Sequence, residues 1–168
     1  MHALLLALAI ATAPAPEPTQ AERLAGYITT VYHGADSYAL ELAQRIIWEA
    51  DHFDLDPALF AAVAHNESWY QLTARGTSGE VGIWQIYPDR MWRRMKPIDQ
   101  MHWTWHIVIS TWRAATILAH HVRRCGPGPR CYCHYNSGYA PCRRGYIASL
   151  RTRSRAIREV LMHHADPR

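Results

Sequence analysis

Segments with apolar residues at helical spacing make up most of this chain, and stretches rich in Gly and Pro separate them. Positions 36–52 show the pattern clearly, because Leu42 and Ile46 fall in one apolar stripe. Asp56 followed by Pro57 is typical of a helix start, since Asp caps exposed N–H groups and Pro suits the first turn. The spacing predicts a helix that begins at Pro57 and further helices over 19–33, 36–52, 97–124 and 141–163.

The pattern changes where the helix that starts at the Asp-Pro pair ends. Its apolar run stops at Glu67, and positions 72–87 then contain Gly76, Gly79 and Gly82. Such glycine punctuation is typical of a loop or a small β-hairpin. With 168 residues, of which 49% are hydrophobic, the chain can bury the core of one domain. We therefore predict a single all-α domain with a small loop or β-hairpin excursion after the glutamate.

Glu67 is the candidate for chemistry at this junction. A carboxyl group between an apolar helix and a loop, with apolar and aromatic neighbours, can have a raised pKa and stay protonated near neutral pH. A general acid needs that property. A glutamate at a helix end is explained equally well by a salt bridge, so the assignment depends on the residues around it.

Three short blocks occur in order along the chain. They are Glu67-Ser68 followed by Gly79, Gly82-Ile83-Trp84-Gln85-Ile86 and Pro88; Tyr135-Asn136-Ser137-Gly138; and Tyr146-Ile147. These blocks resemble the catalytic core of lytic transglycosylases, the lysozyme-like enzymes that cleave the glycan strands of peptidoglycan. Glu67 and Gln85 are separated by 85 − 67 = 18 residues, which is usual for that family, and the resemblance covers roughly positions 36–161.

The resemblance implies a lysozyme-like fold and cleavage of the β-1,4 bond between N-acetylmuramic acid and N-acetylglucosamine. Glu67 would protonate the leaving oxygen and then take a proton from the C6 hydroxyl of the muramic residue, which closes a 1,6-anhydro ring. This chemistry needs no metal and no cofactor. The resemblance also implies that the substrate-binding residues are Ser68, Gln85, Tyr87, Tyr135, Asn136 and Tyr146.

Three of the positions that depart from the family pattern lie in the loop after Glu67. Glu80 stands where the family often has Ala; it is either a solvated loop residue or a second carboxylate that positions water, as in a hydrolase. Gly76 stands where Ser is frequent, which puts a hydroxyl contact with substrate in question. Trp84 replaces the usual Met and is expected to reshape a subsite. Two alternatives to the transglycosylase therefore stay open: a lysozyme-type hydrolase, and a wall-binding or assembly component without turnover.

The four cysteines lie close together, and their even number suggests two disulfides in an exported protein. The sequence leaves three pairings open, and we favour neighbouring pairs, which would staple the turns between the helix ends. A zinc site that includes His134 is the alternative, but the spacing lacks the CxxC pairs of structural zinc sites. The disulfide candidates are Cys125, Cys131, Cys133 and Cys142.

The N-terminus predicts export. Positions 1–15 read as a signal peptide, because the apolar run is too short to span a bilayer and ends in small residues. The absence of Lys or Arg before the run and the Pro after the cleavage sites count against this reading. Positions 16–35 are expected to form a linker and a first helix, and 36–168 the lysozyme-like domain.

The net charge of +4 suits an anionic polymer as partner. Glycan strands of peptidoglycan fit, whereas nucleic acid is not expected, since no nucleic-acid motif accompanies the charge. The expected location is the periplasm or cell envelope, with a phage-encoded or virion-associated protein as the alternative. A secretion, conjugation or phage wall-penetrating assembly is a conceivable partner, and a monomer is expected.

Overall fold

The computed structural model describes residues 17–88, 105–138 and 141–162, and this part of the chain is all-α, as predicted. The predicted signal peptide and the first part of the predicted 97–124 helix lie outside the described residues. A 3-10 turn, His33–Ala35, precedes α2, and a π-helical turn, Trp105–Ile109, leads into α4. The helices are α1 Gln20–Val31, α2 Ala39–His52, α3 Pro57–Ser68, α4 Ser110–Cys125, α5 Pro129–Tyr132, α6 His134–Ser137 and α7 Arg144–Met162.

Helix α3 is the buried centre of the fold, packed between α2 and α7. Its residues from 58 to 65 are buried on every side of the helix, which explains the apolar sequence. Its start is fixed by Asp56, whose Oδ1 accepts the N–H groups of Ala58 at 2.9 Å and Leu59 at 3.2 Å. Arg158 of α7 forms an ion pair with the other oxygen of the same carboxylate. The helix is therefore held firmly in position at its N-terminus.

The chain reverses direction immediately after α3. Trp69 and Tyr70 both adopt left-handed backbone conformations, with φ of 57° and 64°. Such conformations are strained for large side chains, so the surrounding structure must hold them in place. Tyr70 is fully buried and its hydroxyl donates to the carbonyl of Ala61 at 3.1 Å. This anchoring turns the following loop back over the end of α3.

The excursion after α3 is a loop rather than a regular hairpin. Two isolated antiparallel bridges, Arg75 with Val81 and Val81 with Ile86, hold it together, and the described residues contain no strand. Trp84 is fully buried, stacks on Phe60 at 4.4 Å between ring centroids, and donates its indole N–H to Thr111. The expectation that Trp84 reshapes a subsite is wrong, because this large side chain fills the core instead.

The cysteines form neighbouring-pair disulfides, Cys125–Cys131 and Cys133–Cys142, which confirms the favoured pairing. The first joins the end of α4 to α5, and the second joins the start of α6 to the segment before α7. Cys133, His134 and Cys142 lie close enough to hold a metal ion, but the two sulfurs are bonded to each other. They therefore cannot act as zinc thiolates in this state.

No helix in the described part of the chain has the length and apolar character that crossing a bilayer requires.

Candidate active site

A cleft of about 550 Å³ opens at the C-terminal end of α3. The loop that follows α3 forms one wall, and residues of α4 and α6 form the other. Most of the predicted site residues meet here, although they come from distant parts of the sequence. The lining residues are Glu67, Gly76, Thr77, Glu80, Gln85, Ile86, Tyr87, Arg113, Ile117, Tyr135 and Asn136.

Glu67 lies half-buried in this cleft, at the last turn of α3. The hydroxyl of Tyr146 donates to its Oε1 at 2.5 Å. Burial raises the pKa of Glu67, and the negative charge of Glu80 adds to this effect; hydrogen bonds from Tyr146 and from the Asn136 side chain oppose it. The net result is a carboxyl group that holds its proton to higher pH than an ordinary glutamate, as a general acid must.

Two tyrosines, Tyr135 of α6 and Tyr146 of α7, lie near this carboxyl group. Burial raises the pKa of Tyr146 and of Tyr135, so both stay neutral and can donate hydrogen bonds over the whole physiological range. Tyr146 donates to Glu67 directly. The Tyr135 hydroxyl donates to the backbone carbonyl of Trp84 at 2.8 Å, so that it fixes the loop against α6 while its ring forms part of the cleft wall.

A polar network joins α3 to α7 near Tyr146. Asn66, the neighbour of Glu67, accepts hydrogen bonds through its Oδ1 from Ser149 at 2.8 Å and from Arg153. Both donors belong to α7, the helix that carries Tyr146. The network therefore fixes α7 against α3 close to the hydroxyl–carboxyl contact.

Gln85 lies in the loop wall in a left-handed conformation, with φ of 45°. Its side-chain Nε2 donates to the carbonyl of Gly82 at 2.9 Å, which directs the side chain along the cleft. Non-glycine residues seldom adopt this backbone conformation, and such strain is often found at functional sites. The conformation also explains how Gln85 faces the cleft while its neighbour Trp84 faces the core.

Glu80 occupies the same wall and has the opposite titration behaviour to Glu67. Its own backbone N–H, the hydroxyl of Tyr87 and the N–H of Ser78 lower the pKa of Glu80, with the contribution of its own N–H the largest. The Ser78 N–H lies 3.1 Å from its Oε2. The cleft therefore brings a carboxyl group that retains its proton together with a carboxylate that is ionised at neutral pH.

Two of the predicted substrate-binding residues, Ser68 and Tyr87, lie at different places relative to the cleft. Ser68 is 5% exposed and does not line the cleft; its hydroxyl donates to the carbonyl of Ile83 at 2.7 Å, which ties α3 to the loop. This position favours a structural role over a substrate contact. Tyr87 lies at the rim of the cleft with 56% of its surface exposed, where a long polymer could reach it.

The sequence reading missed Arg113 and Ile117, which line the wall formed by α4. Their spacing of four residues places them on one helix face, and that signal was present in the sequence. It does not say which face borders a cleft, because that depends on how α4 packs against the rest of the fold. Arg113 brings a positive charge to a cleft that also contains Glu80.

Comparison with known protein families matches residues 44–155 to the family described as transglycosylase SLT domain. No curated protein and no solved structure matches the chain. The match spans two thirds of the sequence, includes Glu67, Gln85, Tyr135 and Tyr146, and agrees with the helical, lysozyme-like architecture. The chain therefore belongs to the transglycosylase SLT domain family.

Proposed function

We propose that this protein is a peptidoglycan lytic transglycosylase that cleaves between N-acetylmuramic acid and N-acetylglucosamine and leaves a 1,6-anhydro end. Membership of the SLT family supports action on peptidoglycan glycan strands. The observation that carries the proposal is the environment of Glu67, a half-buried carboxyl group in a cleft, with a raised pKa and a hydrogen bond from Tyr146.

In the first step, protonated Glu67 donates its proton to the glycosidic oxygen as the bond from that oxygen to C1 breaks. The positive charge that develops on the muramic sugar ring is then quenched from within the same residue. Its C6 hydroxyl attacks C1 and gives its proton to the Glu67 carboxylate. Water is not consumed, and the glutamate ends the cycle protonated, as it began.

Tyr146 fits the requirements of both halves of this cycle. Glu67 must exist for a moment as a carboxylate between the two proton transfers, and a neutral O–H donor at 2.5 Å stabilises that form. Burial favours the protonated form that starts the cycle. The opposed effects bring the two protonation states closer in free energy, which suits a group that acts as an acid and then as a base.

A hydrolase of the same fold is the second candidate, because the cleft holds Glu80 as a second, ionised carboxylate. Such a group could activate water against C1 and yield a reducing end. The two reactions are separated by mass spectrometry of products from purified glycan strands. Anhydro ends are one water lighter than reducing ends.

The decisive comparison is wild type against Glu67→Gln, which keeps the size and the acceptor oxygen but cannot donate the proton. We expect anhydro products from wild type and none from the variant. Reducing ends from wild type would point to the hydrolase. Absence of products from wild type would favour a wall-binding or assembly role without turnover.

We further propose that the protein acts outside the cytoplasm, in the periplasm or cell envelope. Its substrate lies there, and two disulfides in a small domain are typical of oxidising compartments. Delivery by a secretion, conjugation or phage wall-penetrating assembly would also bring the cleft to its substrate.

A further inference from the structure

We propose that Glu80 is a substrate-binding residue: its carboxylate and the side-chain oxygen of Gln85 lie together over Gly76 as a pair of acceptors for an N–H or O–H group of a bound sugar. The inference rests on the proposed function, since it takes a glycan strand as ligand. It differs from the hydrolase candidate, because here Glu80 holds the sugar and Glu67 carries out the proton transfers.

Gly76 provides the space for both oxygens. A Cβ atom on Gly76 would lie closer than 3.0 Å to Oε2 of Glu80, and 2.7 Å from Oε1 of Gln85. The two acceptors thus share the volume that any larger residue at position 76 would fill. All three residues line the cleft that contains Glu67.

Hydrogen bonds within the loop orient the two acceptors. The N–H of Gly76 donates to the carbonyl of Glu80 at 2.9 Å, and the N–H of Ser78 donates to the Glu80 carboxylate at 3.1 Å. Gln85 uses its Nε2 to reach Gly82, which presents its Oε1 toward the space over Gly76. An ionised carboxylate has about four acceptor positions, so the bonds from its own N–H, from Ser78 and from the Tyr87 hydroxyl leave capacity for one further donor.

The donor that fits this pair is a polar hydrogen of the sugar. Glu80 is the ionised carboxylate of the cleft, and hydrogen bonds to charged acceptors are stronger than those between neutral groups. A Cβ at position 76 would displace the end of the Glu80 side chain, so Gly76 admits this long side chain at position 80.

The test measures binding in the Glu67→Gln variant, which prevents turnover. Calorimetry gives the Kd for a tetrasaccharide of N-acetylglucosamine. We expect Glu80→Ala to weaken binding about tenfold, because one charge-assisted hydrogen bond is lost. Gly76→Ala should weaken it by a similar factor, since the new Cβ displaces the flexible end of Glu80. The backbone of residue 76 has a conformation that alanine adopts readily.

The combination of the two changes tests the mechanism. In a Glu80→Ala background the new Cβ at position 76 has only the Gln85 oxygen left to displace, so Gly76→Ala should cause a smaller further loss than it does when Glu80 is present. Gly26→Ala is the matched control, because a Cβ there meets nothing within 4 Å. Equal losses from Gly76→Ala in both backgrounds, or unchanged binding by Glu80→Ala, would overturn the proposal. Failure of the parent to bind the tetrasaccharide would also overturn it.

Two further readouts identify the donor and separate this proposal from the proposed function. The first compares the loss of affinity in Glu80→Ala for two ligands, the N-acetylglucosamine tetrasaccharide and a glucose tetrasaccharide. A loss with the former alone identifies the acetamido N–H as the donor, whereas equal losses identify a hydroxyl. The second is the product assay with Glu80→Ala as the only change. If this variant forms anhydro products and Glu80→Ala leaves the affinity for the tetrasaccharide unchanged, only the role of Glu80 is refuted. Affected binding in a protein without turnover would refute only the proposed function.

Discussion

Replacing Tyr146 by Phe removes one atom, the hydroxyl oxygen that donates to Glu67 at 2.5 Å. That hydrogen bond favours the ionised carboxyl group, so its loss should raise the pKa of Glu67 further. A hydrogen bond to a charged group contributes about 1.5–3 kcal/mol, and a half-buried site calls for the lower end. Since about 1.4 kcal/mol corresponds to one pKa unit, we expect a rise of about one unit.

The assay is the pH dependence of kcat/KM on purified glycan strands, from about pH 4 to about pH 9. On the basic limb of this profile, activity falls because Glu67 has lost the proton that it must donate. This limb should move up by about one pH unit in Tyr146→Phe. At pH values where Glu67 is protonated in both proteins, the rate should fall up to about tenfold, because the carboxylate formed after the first proton transfer is less stable.

Tyr135→Phe is the matched control for this prediction. It removes the same atom from a tyrosine that lines the cleft, but that hydroxyl donates to the carbonyl of Trp84 rather than to Glu67. The control should leave the basic limb where it is, whatever it does to the rate. A limb that stays unmoved in Tyr146→Phe, or moves down, would refute the claim that Tyr146 acts on the carboxyl group of Glu67.

Two further predictions concern stability and the disulfides. The pKa of Glu67 is higher in the folded than in the unfolded chain, so ionising it costs stability as the pH rises through that interval. Glu67→Gln should therefore raise Tm at neutral pH and leave it unchanged well below pH 4, as measured by thermal unfolding; a gain that persists in acid would contradict this. The Cys133–Cys142 bond closes the segment that carries Tyr135 and Asn136. Replacing both cysteines by Ser should lower the free energy of unfolding by about 2–3 kcal/mol, as measured by urea unfolding. It should also reduce kcat under conditions in which the variant stays folded, and an unchanged kcat there would contradict this expectation.

The sequence predicts the five longer helices of the described chain because each has its own local signal, whereas the short helices α5 and α6 are not among the predicted ones. Thr19 at the start of α1 and the Asp-Pro start of α3 are local features, and both cap their helices in the structure. The helix ends differ by a few residues, as at α7, which begins at Arg144 rather than at 141. The excursion after α3 lacks regular strands because its glycines and left-handed residues interrupt pairing.

The site is predictable only to the extent that it is encoded in short blocks. Glu67, Gln85 and Tyr135 meet in the cleft as the blocks imply. Sequence could not say on which side of the loop a given neighbour lies. Trp84 and Ser68 are next to cleft residues in sequence, yet their side chains point into the core and against the loop backbone.

Arg113 and Ile117 show a second limit to predicting site residues from the sequence. They reach the cleft through the packing of α4, which depends on contacts between distant segments, and no local pattern encodes it. The contact of Glu80 with the space over Gly76 is of the same kind. Each residue alone is an ordinary loop residue, and their relation emerges only when the loop closes.

The central claim is that Glu67 cleaves glycan strands without water as a reactant. The most direct test digests purified strands in water enriched in heavy oxygen, with wild type and Glu67→Gln in parallel, and weighs the products. We predict 1,6-anhydro ends without heavy oxygen from wild type and no products from the variant. Reducing ends that contain heavy oxygen, or products from Glu67→Gln at the wild-type rate, would contradict it.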